Sequence, residues 1–120
     1  MNEVFIVEAR RTPFGSFGGA LSDISAPDLA SQVMRDLLHR SQLPATAIDE
    51  VIAGQVLQGG CGQAPARQAA IYAGIPANVP CTTVNKVCSS GAKAIMFAAQ
   101  AIMLGHQGLI VAGGMENMSA

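Results

Sequence analysis

Tryptophan is absent from this 120-residue chain, tyrosine occurs once, and charged residues make up only 12%, against about 25% in an ordinary soluble domain. The hydrophobic share still reaches 50%, chiefly small aliphatic residues. That is enough for one domain with a real core, and the length argues against two. A small domain normally covers its surface with charge, and this one is short of it. Much of the surface is therefore expected to be buried against the remainder of a longer polypeptide or an identical subunit.

Basic clusters are also missing. The net charge is -1 and Arg10-Arg11 is the one adjacent pair of cations, which leaves no electrostatic footprint for nucleic acid or an anionic membrane. The longest uncharged stretch, Ala94 to Met115, is split by Gly105, His106, Gln107 and Gly108 into pieces too short to cross a bilayer. Met-Asn-Glu runs straight into Val4 to Val7, with no basic start, signal-length apolar core or cleavage site, so a cytoplasmic location is the expectation. The cysteines at 61, 81 and 88 are odd in number and irregular in spacing. They match no metal-ligand pattern and are expected to be free thiols in a reducing compartment. Asn117-Met118-Ser119 fits a glycosylation sequon, which without secretion reads as chance.

What is present alternates in character. Val4 to Val7 is a short apolar run of the kind that forms a strand buried on both faces, followed by a Gly- and Ser-rich loop to about Ile24. Ser25-Ala26-Pro27-Asp28 offers a capping residue, a first-turn proline and an acid three residues after the serine. Leu29, Val33, Met34, Leu37 and Leu38 then recur at helical spacing until Ser41. Val51 to Leu57 reads as a second strand, Gln63 to Ala73 as a second helix admitting Pro65 only in its first turn, and Cys81 to Asn85 as a third strand. Ala92 to Leu104 reads as a helix apolar nearly all round, which must be buried. Leu109 to Ala112 closes the series. The order β-α-β-α-β-α-β predicts an α/β fold with a parallel, doubly wound sheet. Function in such sheets gathers at the carboxyl ends of the strands, here after Asn85 and after Ala112.

Asn85-Lys86-Val87-Cys88-Ser89-Ser90-Gly91-Ala92-Lys93-Ala94 sits where a strand turns into a helix. Unpaired N–H groups of the first helical turn and the helix macrodipole put partial positive charge beside a thiol there, which favours thiolate. Lys86 adds to that field if its side chain points the same way. The Cys88 amide is the obvious donor to an oxyanion developing on a thioester carbonyl. Gly91 permits close approach of substrate or a neighbouring strand, and the small Ser89 and Ser90 leave room for a ligand. From spacing alone, a cysteine at such a junction is more often a small packed hydrophobe.

Asn85 to Ala94 closely resembles the nucleophile segment of thiolases, and Val111 to Ser119 resembles a second thiolase signature. Glu8 to Gly15 and Gly62 to Ala69 fit the same family, so the resemblance runs the whole length of the chain, nearest to the acetyl-CoA acetyltransferase branch that handles acetoacetyl-CoA. It implies that Cys88 takes an acyl group from one acyl-CoA and that the carbanion of a second acetyl-CoA attacks the acyl-enzyme; run backwards, free coenzyme A cleaves a 3-ketoacyl-CoA. It also implies coenzyme A thioesters as substrates, no bound cofactor or metal, and a homodimer or homotetramer working in lipid metabolism. The family fold it implies has two similar halves of βαβαβαββ type. Residues 1–120 would then be the amino-terminal portion of the first half, without the loop domain and carboxyl-terminal domain. The family's activating His, second Cys and oxyanion-hole Asn and His all fall beyond the matching stretch. The segment alone is therefore expected to be inactive.

Other candidates read as structural. Cys61 is a loop thiol and Cys81 a packed strand residue. His39 falls in the last turn of the first helix, and His106 at the far end of the helix that Cys88 begins, on the order of 25 Å away. Arg67 and Glu116 read as ion-pair or interface residues, and Met96, Met103, Met115 and Met118 as fillers of core or interface gaps. Three alternatives stay open: a 3-ketoacyl-CoA thiolase of broader chain-length range, a ketoacyl synthase, which the Gly113 to Ser119 signature disfavours, and a truncated, non-catalytic assembly module.

Overall fold

A computed structural model describes residues 1–120. The first regular element is helix α1, Ala26–Ser41, and its start follows the sequence closely: the Ser25 hydroxyl accepts from the Asp28 amide and a proline lies in the first turn. Such a cap stabilises by about 1 kcal/mol. Strand β1, Glu50–Gly54, then leads through a loop to helix α2, Pro65–Tyr72. Strand β2, Cys81–Val84, helix α3, Ser90–Met103, and strand β3, Ile110–Gly114, complete the chain.

The three strands form one parallel sheet in the order β2-β1-β3, with Val51 level with Cys81 on one side and Val111 on the other. The central strand is buried on both faces, as its unbroken apolar run Val51-Ile52-Ala53 requires. Its two faces serve different helices. Val51 and Ala53 pack with Ala66, Ala69 and Ala70 of α2 and Met34 of α1, while Ile52 packs with Ala94 and Ala98 of α3. Helices therefore cover both faces, giving the three-layer α/β arrangement expected from the alternation of elements.

Two expectations need correction. Val4 to Val7 is not a strand: it pairs with none of the three, and Phe5, Ile6 and Val7 are exposed at 73%, 82% and 65%. An apolar run becomes a strand only by pairing with a partner edge, and this run pairs with neither of the outer edges, of β2 and β3, that the sheet leaves open. The observed order is thus α-β-α-β-α-β. Helix α3 is likewise not buried all round. Ala94 and Ala98 are buried, but Ile95 and Met96 are about half exposed, at 50% and 51%, because the sheet covers one side of the helix and nothing in this chain covers the other. Of the methionines, Met115 is buried in the core, whereas Met96 and Met118 are exposed.

Candidate functional site

The carboxyl ends of β1, β2 and β3 converge on the segment 85–91, as the parallel-sheet rule requires. Glycine makes this possible. A Cβ added to Gly54, at the end of β1, would stand 2.4 Å from the Ser90 carbonyl carbon and 2.6 Å from its oxygen. A Cβ on Gly114, at the end of β3, would stand 3.2 Å from the Gly91 Cα. The amino end of α3 thus rests on the bare backbone of two strands, and Gly91 serves approach to β3.

Between β2 and α3 the chain turns on Val87, whose φ is 50°. For a β-branched residue this left-handed conformation costs about 1–3 kcal/mol and persists only where its surroundings enforce it. The Val87 amide donates to Asn85 Oδ1 at 3.0 Å, and the Ser89 and Ser90 amides donate to the Lys86 and Val87 carbonyls. The buried Ser90 hydroxyl accepts from the Lys86 amide at 2.7 Å and donates to the Val87 carbonyl at 2.7 Å. Ser90 is 4% exposed, so it does not leave room for a ligand, as its small size suggested. It is part of the support of the turn.

The turn carries Cys88, which is exposed. Its own amide takes no part in the hydrogen bonds of the segment, and neither do those of Gly91 and Ala92. An exposed thiol therefore shares its turn with backbone donors that have no hydrogen-bond partner within the chain. Neither histidine approaches it. His39 is in the last turn of α1, and His106 lies past the far end of α3. There it lines a pocket of about 500 Å³ with Glu50, Phe97 and Gln107, of which Cys88 is not a part.

Glu116 is the residue whose role the sequence concealed most. It forms no ion pair; its carboxylate accepts from the Val56 and Leu57 amides at 2.9 and 3.0 Å, tying the end of β3 to the loop after β1. Asn85 donates to the Val56 carbonyl of the same loop at 3.4 Å. One signal was available, an acid two residues beyond the carboxyl end of β3, near where unpaired N–H groups gather. Glu116→Gln leaves one of the two amides facing a donor, a loss of about 1–3 kcal/mol. Amide exchange at Val56 and Leu57 is expected to accelerate in that variant, and unchanged exchange would contradict the clamp. Arg67 donates to the Ala77 carbonyl and is structural. Asn117 binds the Ser22 and Ile24 carbonyls, anchoring the loop before α1.

The three cysteines differ in surroundings. Cys61 is held at its sulfur by the Gln55 amide nitrogen at 3.3 Å and by the Leu57 carbonyl at 3.7 Å. Cys81 is half-buried, and burial pushes its thiol pKa up, the Arg67 charge opposing and Glu50 adding to the rise. A raised thiol pKa delays thiolate formation as pH increases. Alkylation with iodoacetamide, mapped by mass spectrometry, is therefore expected to proceed at Cys88 first, Cys61 second and Cys81 last. The lag of Cys81 should narrow as the pH is raised. Equal rates at Cys88 and Cys81 would contradict the placement of the two thiols.

The architecture is thus a parallel α/β sheet whose strand ends support an exposed cysteine on a strained strand-to-helix turn. Residues 4–120 match the family described as thiolase, N-terminal domain, and the chain belongs to that family. It is 56% identical over 120 residues to the acetyl-CoA acetyltransferase of Cupriavidus necator, covering all of this chain and 30% of that protein. To the mitochondrial acetyl-CoA acetyltransferase of Bos taurus it is 54% identical over 119 residues, 99% of this chain and 28% of that one. A thiolase from Ascaris suum, solved in complex with coenzyme A, superimposes with a TM-score of 0.89 at 49% identity, over 91% of this chain and 28% of that chain. The chain thus spans less than a third of the length of these relatives.

Proposed function

We propose that this chain provides the acyl-accepting nucleophile of an acetyl-CoA acetyltransferase, with Cys88 as the catalytic residue. The observation that carries the reading is the exposed Cys88 thiol on a turn whose Cys88, Gly91 and Ala92 amides remain unengaged. In the first half-reaction the Cys88 sulfur attacks the carbonyl of acetyl-CoA, the carbonyl oxygen takes up negative charge facing those amides, and coenzyme A leaves as its thiol. In the second, the carbanion of another acetyl-CoA attacks the acetyl-Cys88 carbonyl, the C–S bond breaks, and acetoacetyl-CoA and the free thiol form. Thiolysis is the same sequence reversed. Neither half-reaction calls for a metal or a bound cofactor.

The proton acceptors for both steps are not among the residues around Cys88, so they belong to a part of the enzyme outside residues 1–120, and these residues are the amino-terminal portion of its first domain. The exposed Phe5, Ile6, Phe14 and Phe17 support coverage by that part or by a second subunit, in a dimer or tetramer. The compartment belongs to the same proposal. Relatives named mitochondrial and bacterial relatives match almost equally well, and three unpaired cysteines favour a reducing, cytoplasmic setting. No helix is long and apolar enough to cross a membrane.

The test joins residues 1–120 to the remaining part of the Cupriavidus necator relative. The chimera is expected to cleave acetoacetyl-CoA with coenzyme A and to acquire one acetyl group, on Cys88, when incubated with acetyl-CoA alone. A folded chimera that does neither would overturn the reading.

A further inference from the structure

The proposed nucleophile is exposed, yet the turn that presents it holds a valine in a conformation that valine avoids. Something must hold it there. The Asn85 carboxamide grips the Val87 amide on one side. On the other, a single buried hydroxyl bridges the residues before and at the turn, accepting from Lys86 and donating to the Val87 carbonyl, both at 2.7 Å. That hydroxyl belongs to Ser90, the first residue of α3, and Ser90 is itself fixed by contact of its backbone with Gly54 of β1. A rigid sheet, a serine backbone, a hydroxyl and the strained residue thus form one chain of contacts that ends beside Cys88.

We infer that Ser90 is a positioning residue of the acyl-transfer site: its hydroxyl locks Val87 in the left-handed conformation and so sets where the Cys88 thiol and amide stand. Ser90 is buried, at 4% exposed, and its hydroxyl is engaged by the Lys86 amide and the Val87 carbonyl, so it is not a substrate contact. It acts through Val87, and this separates it from a serine that only caps or fills. A capping serine would be indifferent to what occupies position 87. A lock on a strained φ is needed less when the locked residue is glycine, which adopts positive φ without steric penalty.

The inference rests on the nucleophile reading above, and its test uses the same chimera with a readout that needs no turnover. Ser90→Ala is expected to lower kcat for thiolysis about ten- to a hundredfold, the effect of displacing a reacting group by a fraction of an ångström to one ångström, while KM for coenzyme A stays within about twofold because no substrate contact is lost. Iodoacetamide labelling of Cys88 in the folded protein should slow in parallel. The deciding comparison places Ser90→Ala in a Val87→Gly background. There its effect on both rates should shrink to less than about threefold, since two residues acting through one turn are non-additive. Equal effects in the two backgrounds, or unchanged rates in Ser90→Ala, would overturn the inference. If Ser90→Ala alone fails to fold, recovery of a folded, labelling-competent protein by Val87→Gly supports it and continued failure overturns it. An inactive unmutated chimera would count against the proposed function, and the labelling rates would still decide the role of Ser90.

Discussion

Cys88→Ala in the chimeric enzyme is expected to reduce thiolysis by about 10⁴-fold or more, the scale seen when a covalent nucleophile is removed and only binding and oxyanion stabilisation remain. The fold should hardly notice. Cys88 is exposed and its sulfur enters none of the hydrogen bonds of the turn, so stability should stay within about 0.5 kcal/mol of the parent, as for surface substitutions generally. The experiment therefore separates chemistry from folding cleanly. Incubation with acetyl-CoA followed by peptide mapping gives the second readout: acetyl on the peptide containing Cys88 in the parent, none in the variant. Acetylation of Cys61 or Cys81 instead, or activity within tenfold of the parent, would remove Cys88 from its role. Cys61→Ala is the natural control. Its sulfur contacts are confined to Gln55 and Leu57, and its loss should leave the acetylated peptide unchanged.

The parts of this architecture legible in the sequence are those that depend on near neighbours. Ser25, Pro27 and Asp28 announce the start of α1 because a cap is satisfied within three residues, and Val51 to Ala53 announce a doubly buried strand because an unbroken apolar run has few other solutions. The placement of Cys88 was legible for the same reason, since a strand, a turn and a helix in succession put whatever stands between them at the strand ends. Spacing alone, however, favours a packed thiol, and the role of Cys88 is read from the family resemblance. Val4 to Val7 failed the test because pairing is a property of two strands, and periodicity reports only one. The outer side of α3 failed similarly. Ile95 and Met96 make the helix apolar, but the composition of a helix cannot say which element will cover it. Glu116 and Ser90 were misread for a subtler reason. Each was assessed by its own charge or size, whereas its role is fixed by backbone groups: for Glu116 the amides of residues about sixty positions earlier in the chain, and for Ser90 a carbonyl and an amide whose need arises only from the φ of Val87.

The same dependence on backbone gives the largest structural effect expected. Gly54→Ala adds a single methyl group, and in most strands that change is mild. Here the new carbon would lie 2.4 Å from the Ser90 carbonyl carbon, 2.6 Å from its oxygen and 2.7 Å from the Ser90 Cβ. Two of those three atoms are backbone, so no rotamer change relieves the overlap. Either β1 and α3 separate, which loosens the packing of Ile52 against Ala94 and Ala98 and destabilises by about 2–4 kcal/mol; or the amino end of α3 moves by about an ångström, carrying the Ser90 hydroxyl and Cys88 with it, and kcat falls about 10²-fold. Both outcomes are measurable, one by thermal unfolding and the other by thiolysis, and at least one must appear. Gly113→Ala supplies the comparison. It lies in β3 beside Gly114, yet a Cβ there meets no atom within 4 Å, so its effect should be slight. A Gly54→Ala variant as stable and as active as Gly113→Ala would mean that α3 does not rest on β1, and with that contact would go the support that holds Ser90, Val87 and Cys88 in register.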